Sequence, residues 1–175
     1  MAPRSGSRGF TLIELLIVIA IVGILASISM ALYRHARING DEASAVATLQ
    51  AINQGQFAFA QACGNQRYAP TLASLATPMP STGNAFLSPD LTADPLLKNG
   101  YQFVMSGAPV TDDTKACTGV PLLESYQLTA DPVRPGVWGV RFFATNTERV
   151  IFEDTATFTG SMPETGAPGH GAELK

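Results

Sequence analysis

Arg8-Gly9-Phe10-Thr11-Leu12-Ile13-Glu14 leads directly into an apolar run, Leu15 to Leu32, and from Phe10 onward Glu14 is the only ionisable group in the stretch. About 20 apolar residues of helix cross the hydrocarbon core of a bilayer, so 10–32 is long enough to span one. Arg4, Arg8 and the terminal amine precede the run without an acid among them, which keeps the leader cytoplasmic and sends the rest of the chain outward. An ordinary secretory signal has its small-residue cleavage site after a shorter apolar region, whereas Gly9 stands before this one. Cleavage after Gly9 would remove the charged leader and leave the helix in place. A carboxylate deep in lipid costs on the order of 3 kcal/mol and calls for a partner. The new amine of Phe10, four residues upstream of Glu14, could supply it from a neighbouring subunit.

These residues resemble the type IV pilins and the pseudopilins of type II secretion, because GFTLIELLIVIAIVGILA at 9–26 reproduces the class III prepilin signal. The resemblance covers roughly Arg8 to Tyr33. It implies that a prepilin peptidase cuts between Gly9 and Phe10 and that Phe10 is then N-methylated. It also implies that Glu14, with Thr11, serves assembly by pairing with a neighbour's amino terminus. Many pilins carry a proline where this chain has Ala31. Gly23 is retained, and its poor helix propensity, about 1 kcal/mol below alanine, makes it the candidate for local melting.

With 175 residues the chain supports one modest domain beyond its anchor. Removing Arg4 and Arg8 takes the net charge from −3 to about −5, a mildly acidic surface that leaves nucleic acid an unexpected partner. Cys63 and Cys117 are the only cysteines, and an even pair in an exported protein favours a disulfide over two buried thiols. Such a bond would tie the end of the helix to the sheet region.

Beyond Tyr33, Ile38, Val46, Leu49, Ile52, Phe57 and Ala60 recur at helical spacing, interleaved with Arg34, Asp41, Glu42, Gln50 and Gln54. The membrane helix should therefore continue as an amphipathic one, with a weak point at Asn39-Gly40 and a stop at Gly64-Asn65. A Pro-, Ser- and Thr-rich connection follows, with a helical turn at Thr71 to Ala76. Alternation then predicts strands around Tyr101 to Met105, Tyr126 to Ala130, Trp138 to Phe142 and Val150 to Glu153, with Ala144 to Glu148 as a hairpin loop. The expected organisation is a leader 1–9, a membrane or filament-core helix 10–33, an amphipathic helix 34–62, a loop region 63–100, a sheet 101–155 and a mobile tail 156–175. The fold class is α+β, a long helix packed against a small antiparallel sheet, and the resemblance implies the ladle shape of pilins. Arg67 to Leu75 and the strand segments beginning at Gly100, Tyr126 and Gly139 also resemble the heads of that family.

No HExxH, GxSxG, P-loop or CxxC pattern occurs, and only His35 and His170 are present. His35 is read as an interfacial polar group and His170 as a solvated tail residue. The chain is not read as an enzyme, and no cofactor is expected. Asp112, Asp113 and Asp131 match no calcium loop and are read as solvated acids, so no metal is expected.

The expected function is a structural one, a subunit of a type IV pilus or pilus-like filament. Its partners would be copies of itself in a helical filament, the prepilin peptidase, the membrane and an inner-membrane assembly platform. It would be stored as a single-pass inner-membrane protein with a periplasmic head. The alternatives are a type II secretion pseudopilin and a minor pilin or membrane-anchored binding protein, for example in DNA uptake.

Overall fold

The computed structural model describes residues 9–175; the leader residues 1–8, with Arg4 and Arg8, lie outside the described residues, and Ala31 is described by its backbone alone. The chain divides into two units, one reaching to Arg37 and one from Ile38 to Lys175. One helix, α1 (Leu12–Ala62), belongs to both, running unbroken through Gly23 and through Asn39-Gly40.

From Leu15 to Leu32, α1 is apolar all round and long enough to cross a membrane, and none of its described residues is buried. Leu15, Ile17, Val18, Ile21, Val22, Ile24, Leu25 and Ile28 are all exposed, on every side of the helix. A helix with no polar face belongs in a membrane or inside a bundle of its own kind.

In the second unit the pattern changes to a stripe. Ala45, Leu49, Ile52, Phe59 and Cys63 are buried, while Ala47, Gln50, Ala51 and Gln54 face solvent. Phe57, expected in this stripe, stands off it at 45% exposure, and Phe59 takes the core position. Glu42, expected among the solvated residues, is buried at 3%.

The stripe is covered by a sheet of six strands in plain meander order: β1 (Leu96–Lys98), β2 (Tyr101–Ser106), β3 (Gln127–Pro132), β4 (Phe142–Asn146), β5 (Ile151–Asp154) and β6 (Ala172–Glu173). Every neighbouring pair is antiparallel. Tyr101, Phe103 and Met105 alternate inward along β2, and with Leu128, Ala130 and Phe143 they meet Leu49, Ile52 and Phe59 of α1 in one core. A short helix α2 (Leu72–Leu75), capped by the Thr71 hydroxyl on Ser74 N–H, adds Leu72 and Leu75 to it.

Four expectations are corrected. Trp138 to Arg141 is not strand; Gly139 sits where a Cβ would collide with the Tyr101 hydroxyl, and the segment turns before β4 begins at Phe142. Ala144 to Asn146 is paired β4 rather than loop, and the turn falls later, at Thr147 to Arg149. Leu96–Lys98, placed in the loop region, is β1. Its hairpin to β2 turns on Asn99 and Gly100, both at positive φ (47° and 76°), the two-residue geometry that Asn-Gly favours. The segment 156–175, expected as a mobile tail, is folded onto the sheet. Phe158 and Met162 are buried with Ala144 and Phe152 in a second small core, and β6 pairs with β5.

Candidate functional site

The Gly9–Phe10 peptide bond lies in non-helical backbone immediately before α1, and Phe10 is 86% exposed. Cleavage at this point requires no helix to be opened. The helix start has its own chemistry. Thr11 precedes the first helical residue, Leu12, and its backbone N–H and hydroxyl both donate to Glu14 Oε2, at 3.1 and 2.8 Å. Glu14 N–H donates back to the Thr11 hydroxyl at 3.3 Å. This reciprocal arrangement is a capping box, in which a threonine and a glutamate three residues on satisfy backbone donors that a helix start otherwise leaves open. The signal was present in the sequence as Thr-x-x-Glu before an apolar run. Reading the acid for its pairing with a neighbouring amine passed over this local role.

Gly9, Phe10, Thr11 and Glu14 thus form one compact group spanning the processing bond and the first helical turn. Gly23 lies a little over two turns beyond Glu14, inside intact helix with open space where its Cβ would be. Nothing in the described residues distinguishes it from its neighbours as a break.

Cys63 and Cys117 are joined by a disulfide. Cys63 ends the buried stripe of α1, and Cys117 N–H donates to Cys63 O at 3.0 Å, so the bond fastens the 107–126 connection to the helix end. Tyr68 and Leu123 exchange two backbone hydrogen bonds of 2.9 Å beside it. Three polar side chains on α1 fix the sheet side of the head. Gln56, fully buried, exchanges two hydrogen bonds with the Ala69 backbone. Asn53 accepts from the Tyr126 hydroxyl and donates to the Thr145 hydroxyl, each at 2.9 Å. Glu42 accepts from Val140 N–H (2.8 Å), Arg141 N–H (3.1 Å) and Arg141 Nε (2.7 Å), while Arg141 also reaches Glu153. Burial alone would push the Glu42 carboxyl up, but the hydrogen bonds from Val140 and Arg141 outweigh it and hold the group below its ordinary value.

Asp112 and Asp131, two of the acids weighed as calcium ligands, have structural partners. Both Asp112 carboxylate oxygens accept from the one nitrogen Nη1 of Arg67 (2.9 and 2.8 Å), and the carboxyl lies at about 2, lowered by hydrogen bonds from Thr114 and Arg67. Asp131 accepts from the hydroxyls of Thr157 and Thr159. His35 is exposed on α1, whereas His170, read as a solvated tail residue, is engaged by Asp154 and Ser161.

A family model described as the prokaryotic N-terminal methylation motif matches residues 4–30, the segment that contains the processing bond, the capping box and the start of the apolar helix. The chain therefore carries the class III signal of the type IV pilin and pseudopilin family. The motif marks the start of the chain as that of a pilin-like or pseudopilin substrate of prepilin peptidase, and it is followed by an apolar helix long enough for single-pass anchoring and by an α+β head.

Proposed function

We propose that the protein is a structural subunit of a type IV pilus or pilus-like filament. It waits in the inner membrane with its head in the periplasm, is cut between Gly9 and Phe10, N-methylated on Phe10, and enters the filament through α1. The observation that carries this reading is the contrast along α1: a processing bond in open backbone, a capped start, and then a helix exposed on every side that finds cover only in lipid or among other copies. In the filament the Phe10 amine of one copy neutralises Glu14 of another, and the Thr11 contacts hold that carboxylate at the helix start while it waits. The chain's role is structural rather than catalytic.

Mass spectrometry of the mature protein should find N-methylated Phe10 at the amino terminus; an intact leader, or a cut beyond Ala26, would sink the proposal. Glu14→Gln should insert and be processed normally yet fall at least tenfold in sheared filaments. Equal incorporation would remove charge pairing as the docking step. In those filaments the chain should be the dominant band, and a trace amount would instead make it a minor pilin.

A further inference from the structure

Six large apolar side chains of the head are exposed among the described residues, and three of them, Val133, Val137 and Val140, fall in the one loop that joins β3 to β4. The loop belongs to no strand, so sheet alternation does not account for them. It is nonetheless fixed. Val133 N–H donates to Gly100 O (2.8 Å), Val137 and Trp138 N–H both donate to Arg134 O (3.1 Å), and Gly136 N–H donates to Gly139 O (2.7 Å). Trp138 lies against the Gly100 backbone, where an added Cβ would come within 2.6 Å of its Cγ. A preformed loop presents its valines without the entropy cost of being ordered by whatever they meet.

The loop's contacts place it at one end of the head. Val140 and Arg141 N–H donate to Glu42, and Asn99, beside Gly100, donates to Ser44 Oγ at 2.6 Å. Glu42 and Ser44 stand at the start of the head's share of α1, where the chain arrives from the apolar run. Ten positions separate Leu32 from Glu42, at most about 35 Å of chain. A surface tethered this closely to a bilayer meets it at an effective concentration on the order of millimolar, so even a weak lipid contact is populated.

Charge points the same way. Arg134 is exposed within the loop and has no ion pair among the described residues, while Arg141 takes up the acids Glu42 and Glu153. The chain that leads to this end carries Arg34 and Arg37 and has no acid between Glu14 and Asp41. Apolar side chains beside an arginine, with a tryptophan behind them, suit the boundary of headgroups and acyl chains, where the guanidinium meets phosphate. We propose that 133–140 is a lipid-contacting edge, which rests on the phospholipid surface of the bilayer that holds α1 until the subunit is drawn into a filament. This rests on the reading of α1 as a membrane anchor.

Trp138 is the only tryptophan in the chain, so its fluorescence reports on this edge alone. The mature full-length protein is reconstituted into vesicles of phosphatidylethanolamine and phosphatidylglycerol whose acyl chains carry bromine near the headgroup. Trp138 emission should fall about twofold relative to unbrominated vesicles. Val133→Asp combined with Val137→Asp should restore most of it without moving the head's melting midpoint, and Phe57→Ala, at an exposed apolar site elsewhere, should leave the quenching as it was. Arg134→Glu should also lower the quenching, and it decides the matter if the double variant loses its fold. Flotation with the vesicles separates the two readings: a protein that floats with Trp138 unquenched overturns the lipid edge and leaves the anchor standing, while one that does not float overturns both. Quenching that persists undiminished in a folded double variant also overturns the edge. So does a Trp138 that is unquenched in vesicles but blue-shifted in sheared filaments, which would assign the loop to a second copy.

Discussion

Residues 12–37 and 38–62 are halves of one helix with opposite requirements. The first half offers apolar side chains in every direction and buries none of those described, while the second confines them to a stripe and closes that stripe under a sheet. The same contrast appears in their two glutamates. Glu14 is exposed and, among the described residues, held by Thr11 one turn away; Glu42 is buried and held by residues almost a hundred positions later. A carboxylate that ends a helix within its own chain remains available to another molecule. One that accepts from a distant loop and a distant arginine is consumed by the fold.

The comparison can be broken most forcefully at the disulfide. Cys63 and Cys117 enclose a separation of 54 residues, and chain-entropy reasoning gives about 4 kcal/mol for closing such a loop. Paired Cys63→Ala and Cys117→Ala should lower head stability by roughly that amount in denaturant titrations while leaving membrane insertion unchanged. Next is Glu42→Ala, which strands two backbone N–H groups and one side of Arg141. A loss of about 2 to 3 kcal/mol is expected in the same assay. Glu14→Ala should leave the head's unfolding midpoint where it was, since the first unit contributes nothing to that core.

Acid sharpens the distinction further. Because the folded Glu42 carboxyl is lowered, its contribution is complete above the ordinary glutamate range and is lost as pH falls through the folded value. Acid unfolding of Glu42→Gln should consequently show a shallower slope below about pH 4.5 than the wild type. The smallest effect belongs to Asp112→Asn. Its exposed pair with Arg67 should leave thermal stability at neutral pH indistinguishable from wild type, despite the short contacts.

What could be read from the sequence follows from how local each signal was. The apolar run and the inward alternation of Tyr101, Phe103 and Met105 depend on neighbours within a few residues, and both are present in the structure. Asn99-Gly100 was equally local and was passed over, which cost β1. Thr-x-x-Glu at the start of α1 was passed over in the same way. Glu42 was different in kind, because nothing near it in sequence announces Val140 and Arg141. The fold of 156–175 was hidden by composition: its glycines and prolines suggested an unanchored tail, yet Phe158 and Met162 sufficed to seat it against Ala144 and Phe152. Trp138 and Val140 alternate as a strand should, and the close approach of Gly139 to Tyr101 overrode that pattern.

The meander order of the six strands bears on how the head forms. Each strand pairs with the one that precedes it in the chain, so no strand has to wait for a partner made much later. The sheet can grow one hairpin at a time from the tight turn at Asn99-Gly100, which keeps the entropy of loop closure low at each step. The contacts that span the sequence, Glu42 with Arg141 and Asn53 with Tyr126 and Thr145, then join a finished sheet to a helix that was made first.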